Sequence, residues 1–279
     1  MIRALVVLVA IAATLPSPAG AEQRPLWELG LGFTGLYLPD YRGADQSRGY
    51  VFPLPFAAYR GERFKVDREG IRGVFVDTDR VDLDVSVFGT PPVDSGDNRA
   101  RQGMPDLDAT LEVGPVLEFT LARDRRIDYT YRLKLRLPAR AAFATDVIHW
   151  SYIGWVFYPN LALDLRPEFF GGHWNVGATA GPLYATRQYN DYFYSVAPQF
   201  ATPDRPAYQA PGGYSGWAAL ATISRHFGKV WVGAYVRYDT LGGATFGASP
   251  LVKRDYAVSA GFGIAWIIGQ SRELVETED

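Results

Sequence analysis

Two stretches of this chain alternate apolar and polar residues almost without fault. In residues 111–121, Leu111, Val113, Leu117, Phe119 and Leu121 sit between Glu112, Gly114, Glu118 and Thr120. Past the charged run 122–128, Tyr129, Tyr131, Leu133, Leu135 and Leu137 sit between Thr130, Arg132, Lys134 and Arg136. Side chains of a strand point to opposite faces with period 2, so each stretch reads as a strand with one apolar and one polar face. Each runs about 10 residues, the length a tilted strand needs to cross a hydrocarbon core of roughly 30 Å.

The same pattern recurs from Trp27 to the end, without a convincing amphipathic helix. Trp27, Leu29, Leu31, Phe33 and Tyr37 alternate with Glu28, Gly30, Gly32 and Thr34. Tyr50, Phe52, Leu54 and Phe56 follow, with Pro53 and Pro55 on the opposite face. Proline has no N–H for a ladder, so those two predict a bulge or a break in pairing. Short runs at 63–66 and 71–76 flank Asp67-Arg68-Glu69-Gly70, which has turn chemistry. Val81, Leu83, Val85 and Val87 interleave with Asp82, Asp84 and Ser86. The segment 148–165 places Ile153, Trp155, Phe157, Leu161, Leu163 and Leu165 in one phase. Four more strands fall near 173–184, 214–226, 229–239 and 255–268.

The connections support this count of about twelve strands. Long ones at 38–49, 90–106, 139–147, 185–213 and 240–254 alternate with short ones at 60–62, 77–80, 122–128, 166–172 and 227–229, once the turn at 67–70 joins the long set. Short turns on one side, longer loops on the other and an even strand number define the bacterial outer-membrane barrel. The expectation is an all-β fold: a single antiparallel transmembrane β-barrel with short periplasmic turns, longer external loops and both termini in the periplasm.

Composition narrows the picture further. Residues 1–21 read as a secretory signal: Arg3, an apolar run at 4–15, then Ala19-Gly20-Ala21 as the cleavage site. The barrel is then expected over 22–268, followed by a polar, acidic tail at 269–279. Beyond the signal no segment approaches the ~18 uninterrupted apolar residues of a spanning helix, so a membrane assignment rests on strands. The chain has no cysteine, which removes disulfides and thiolate metal sites. A net charge of −2 argues against an electrostatic nucleic-acid binder. The 17 Tyr, 16 Phe and 7 Trp suit interfacial girdles in contact with outer-membrane lipid. Three scattered histidines make no metal-ligand spacing, and no cofactor is expected.

A family resemblance surfaces in three places. The first is Tyr41-Arg42-Gly43-Ala44-Asp45, then Phe52-Pro53-Leu54-Pro55, Tyr59-Arg60-Gly61 and Arg63-Phe64. The second is Tyr194-Ser195-Val196, then Arg205-Pro206-Ala207-Tyr208-Gln209-Ala210 and Gly212-Gly213. The third is Ser249-Pro250-Leu251-Val252 ahead of a Gly- and aromatic-rich final strand. Together they resemble the MipA/OmpV family of Gram-negative outer-membrane proteins. The resemblance implies localisation in the cell outer membrane and a non-enzymatic scaffold that links a murein hydrolase to a murein synthase. It supplies no catalytic residues. The chain departs from the usual barrel by running past Trp266 and Ile268 into its acidic tail rather than ending on an aromatic residue.

Three groups of residues carry candidate chemistry. Folding 111–137 about a turn near Arg125 predicts Glu118 opposite Arg132, with Lys134 diagonal, and Glu112 and Arg136 on the same face. Asp82 and Asp84 face that side from a neighbouring strand. These charges either brace a plugged lumen or, through Arg132, Lys134 and Arg136, line an anion-preferring constriction. His149 and Ser151 lie two residues apart on one strand face, the pairing of a base and a nucleophile in a lipid acyl hydrolase. No carboxylate follows at an evident same-face position, and Asp164 has the opposite parity. Finally, loop 185–213 carries Tyr189, Tyr192, Phe193, Tyr194, Phe200 and Tyr208. It reads either as a lid folded into the barrel mouth or as a surface for a ligand or host partner. Scaffold, narrow solute pore and acyl hydrolase therefore stand as three readings, in that order.

Overall fold

The computed structural model describes residues 22–61, 64–67, 70–73, 76–77, 80–125 and 129–277. The expected signal at 1–21 lies outside them, as do Arg68 and Glu69 of the turn at 67–70. In chain order the strands are β1 (Glu22–Pro25), β2 (Trp27–Pro39), β3 (Ser47–Arg60), β4 (Phe64–Asp67), β5 (Gly70–Gly73), β6 (Val76–Asp77), β7 (Val81–Thr90), β8 (Ala109–Arg125), β9 (Tyr129–Thr145), β10 (Trp150–Phe157), β11 (Asn160–Pro167), β12 (Asn175–Ala185), β13 (Gly213–Phe227), β14 (Val230–Thr240), β15 (Tyr256–Gln270) and β16 (Leu274–Thr277). One helix, α1 (Arg187–Tyr194), interrupts the loop between β12 and β13.

All strands but β1 and β16 form one antiparallel sheet. Its ladder runs β5-β4-β3-β2-β15-β14-β13-β12-β10-β9-β8-β7-β6. Strands β10 and β11 are halves of one long strand, both paired to β9 and broken only at Tyr158 and Pro159. The path ends on β5 and β6, which are two residues apart in the chain, and β5 lies alongside β7.

The faces of the sheet are inverted relative to a water-soluble protein. Leu31, Phe33, Phe262, Ile264 and Trp266 are 46–63% exposed, whereas Glu28, Thr34, Glu112 and Glu118 are at most 5% exposed. Such a surface is stable only against lipid, because a water-exposed apolar area of this size has no compensating partner. The polar face curls onto itself. Arg237 on β14 sits 5.4 Å from the Phe88 ring on β7, although five strands separate them along the ladder.

Three local expectations are corrected. The β2–β3 ladder passes Pro53 and Pro55 without a register shift. Their missing donors fall instead on a strand whose other side pairs with β4 only at Tyr59 and Arg60, among the described residues. A β-bulge between Tyr152 and Gly154 inserts one residue, so Ile153 leaves the phase of Trp155 and Phe157 and points inward, buried. Strand β8 runs on through the charged run to Arg125, with a bulge between Thr120 and Ala122. In this register Glu118 stands opposite Arg136, while Arg132 falls opposite Arg123.

At the long-loop end the connections build a hydrophobic core of their own. Tyr41, Val93, Leu107, Phe193, Tyr194, Phe246 and Leu251, from four different loops, pack onto Ala142, Ala144 and Ile153 of the sheet. At the opposite end β1 pairs with β16 and extends the contact between β2 and β15 beyond the sheet, so part of the expected acidic tail is a strand.

Candidate functional site

The site starts where the helical loop enters the inner face. Gly154, with φ +120, is the reason it can: a Cβ there would lie 2.7 Å from the Tyr189 backbone nitrogen and 2.3 Å from Thr186 Oγ1. Thr186 Oγ1 accepts from the Trp155 N–H at 3.0 Å, pinning the start of α1 to β10. Its buried face carries Asn190, Phe193 and Tyr194. Tyr194 stacks on Phe246 with ring centroids 3.8 Å apart and donates its hydroxyl to the Arg42 carbonyl at 3.0 Å. All six aromatic residues singled out in this loop belong to the mouth core: Tyr189, Tyr192, Phe193, Tyr194, Phe200 and Tyr208.

Two carboxylates on the sheet latch this core. Glu112 on β8 accepts from the Tyr189 hydroxyl at 2.8 Å and from Arg140 Nε at 2.9 Å. Asp239 on β14 binds Arg237 through both oxygens at 2.7 Å and Arg42 of the first long loop at 2.9 Å. Arg140 and Arg237 approach the same Phe88 ring, at 5.6 and 5.4 Å from its centroid. Arginine paired to a carboxylate and stacked on a ring is oriented by its fork geometry as well as its charge. Further hydrogen bonds join the loops to each other: Arg101 donates to the Phe193 carbonyl, and Arg205 to the carbonyls of Ala100 and Gln102 as well as to that of Phe200 in its own loop. Burial raises the hydroxyl pKa of Tyr192 and Tyr194 to about 12, so both stay protonated; Tyr192 accepts the Asp108 N–H at 2.8 Å, whereas Tyr194 is a donor.

Deeper along the inner face lies the second charged group. Glu118 accepts from Lys134 at 2.8 Å and from Arg136 at 2.6 Å, with the carboxylate fully buried. Asp82 stands opposite Glu118 in register, Asp84 is buried two residues on, and Asp164 is the in-register neighbour of Arg132 on β11. Lys134 and Arg136 are thus engaged by a carboxylate rather than presented to a solute. Arg140, Arg237, Asp239 and Arg42 carry as much of the network as the residues read from sequence. Arg140 continues the even-numbered series 132, 134, 136 and was legible in principle. Arg237 and Asp239 share a face by their spacing of two. Arg42 lies in the first of the family-like stretches, but nothing in the sequence ties it to Asp239.

His149 and Ser151 are not joined: among the described residues no hydrogen bond links them. His149 has a carboxylate, Asp146, whose Oδ2 is 3.2 Å from Nδ1. The other Asp146 oxygen accepts the N–H of His149 at 2.8 Å and of Ile148 at 3.1 Å, the pattern of a turn cap. Those hydrogen bonds, the backbone one first, lower the Asp146 pKa to about 2.

A large antiparallel sheet with lipid-facing apolar side chains and inward ion pairs defines a β-barrel-type protein of the outer membrane. A family model described as MltA-interacting protein MipA matches residues 31–268. The chain belongs to that family. No curated protein matches it in sequence. Among solved structures, a bacterial polysaccharide outer membrane secretin aligns at 8% identity and TM-score 0.35, covering 87% of this chain and 99% of that one. A mutant TodX monoaromatic hydrocarbon channel aligns at 10% identity and TM-score 0.27, covering 93% and 75%. The outer membrane protein OprG from Pseudomonas aeruginosa aligns at 11% and 0.19, covering 88% and 98%. Likenesses at these scores carry no argument about function.

Proposed function

We propose that this chain is a closed, plugged outer-membrane barrel that acts as a scaffold for murein-remodelling enzymes rather than as a pore. The observation that carries this reading is the mouth core: side chains from four long loops fill the end of the inner face and are latched to it through Glu112 and Asp239. Closure of the wall would run through the short strands β4, β5 and β6 at the two ends of the ladder path, and β5 lies alongside β7. A plugged lumen leaves the periplasmic turns and the β1–β16 ribbon as the parts that meet partners. The family's name carries an interaction with MltA, which agrees with a murein hydrolase as one partner and, through the scaffold role, a murein synthase as the other.

Binding tests it. The refolded protein in nanodiscs is expected to retain a cognate MltA-type hydrolase, and to retain a murein synthase only when both are present or at a separate site. Absence of binding to both enzymes, with the sheet folded, contradicts the scaffold role. The ion pairing of Glu118 with Lys134 and Arg136 counts against the anion-preferring pore, because it removes two of the three cations that such a constriction requires.

A further inference from the structure

Among the described residues, only two non-glycine residues have positive φ: Val147 at +86° and Phe170 at +50°. They stand at opposite ends of one long strand, β10 with β11. L-residues adopt this backbone reluctantly, and a β-branched or bulky side chain most reluctantly of all, so each tip needs something to hold it there. Each has it. Thr145 Oγ1 accepts the Val147 N–H at 2.9 Å, and Asp146 caps Ile148 and His149. At the other end Arg225 donates to the carbonyls of Phe170 and Gly171, at 3.1 and 2.9 Å.

What these locked turns present is apolar. Phe170 and Ile148 are 89% and 80% exposed, more than any other large hydrophobic side chain among the described residues. Aromatic side chains adjoin both. Below Ile148, Trp150 and Tyr152 point outward, Tyr152 against Phe143. Beside Phe170, Arg225 lies over the rings of Trp174 and Phe227, and Trp174 stacks on Phe169. Aromatic rings with an arginine head group suit the boundary between headgroups and acyl chains. The spacing agrees. The 18 residues from Trp150 to Pro167, at about 3.3 Å each and a tilt of roughly 40°, rise about 45 Å, the thickness of a bilayer with its headgroups.

We propose that the two strained tips are paired lipid anchors, Val147 and Ile148 seated in the headgroup region of the outer leaflet and Phe170 in that of the inner leaflet. They fix the height of the sheet in the membrane independently of any partner.

The absence of cysteine makes the test direct. Spin labels at Ile148→Cys and Phe170→Cys, in nanodiscs of phospholipid and lipopolysaccharide, are expected to collide with oxygen several-fold more, relative to a water-soluble nickel chelate, than a label at Asp204→Cys in a long loop. The ratio should fall below that of Phe262→Cys in the belt. A label at either tip that meets the chelate as freely as Asp204→Cys overturns the proposal and directs that tip to a protein partner. If a tip variant fails to fold, quenching of Trp174 by lipids brominated near the headgroup, taken as the difference between the native protein and Trp174→Phe, reads the same depth with Phe170 intact. No quenching there overturns the inner-leaflet anchor.

Discussion

The hydroxyl of Tyr189 donates a 2.8 Å hydrogen bond to Glu112 Oε1, tying a helix of a long loop to the inner face of strand β8. Burial first, and the adjacent Glu112 charge second, hold the Tyr189 pKa well above its ordinary value, so the tyrosine remains the donor. A hydrogen bond to a charged group contributes about 1.5–3 kcal/mol. Tyr189→Phe is therefore expected to speed amide exchange in residues 187–194 by roughly 10- to 150-fold while leaving the β13–β14 ladder protected. Unchanged exchange in the helix would remove the latch from the mechanism of closure.

The Glu118 cluster gives an asymmetric expectation. Glu118→Ala removes the buried carboxylate that Lys134 and Arg136 share on the inner face and should cost about 3–5 kcal/mol in denaturant unfolding. Arg136→Ala leaves Glu118 with Lys134 and should cost clearly less, since Arg136 is the more exposed partner. Equal losses would mean that the two cations do not share one carboxylate.

The mouth core has its own stability. Phe246 is fully buried against Tyr194, and Phe246→Ala should cost about 3–5 kcal/mol. Limited proteolysis should then cut the loops at 186–212 and 241–255 first. The pKa of Tyr194, raised by burial to about 12, sets a pH window. Its contribution is complete below the unfolded value of about 10 and is lost as pH rises through 12. Ultraviolet titration of native protein against Tyr194→Phe should show one tyrosine fewer ionising in that range.

Acid acts on the other side of the molecule's pH range. Asp146, with its pKa lowered to about 2 by the hydrogen bonds from His149, steadies its turn above the ordinary carboxylate range, and that help is lost as pH falls toward 2. Amide exchange at Ile148 and His149 should accelerate on acidification, and Asp146→Asn should abolish most of the pH dependence.

The wall of the molecule was legible because lipid enforces strict alternation. Leu31 and Glu28, or Leu117 and Glu118, announce their faces by parity alone. What escaped was set by additions of single residues or by distant packing. The bulge at Tyr152 flips Ile153, and the bulge near Leu121 helps shift Glu118 from Arg132 to Arg136. Residues 122–125, three of them charged, read as a turn because no apolar phase extends through them, yet β9 pairs with them. The acid beside His149 was missed because Asp146 reaches it through a turn, not along a strand. Arg42 joins Asp239 across nearly two hundred residues of chain, a contact created by β15, which brings β2 and β14 close together in the sheet.

Conductance in a planar bilayer tests closure most directly. The refolded protein, with the sheet verified as folded, is expected to be silent, and a variant lacking the loop residues 187–211 should conduct. Steady conductance of the intact protein, with an ion preference that moves in Arg132→Ala and Arg136→Ala, would contradict a plugged barrel and make this chain a pore.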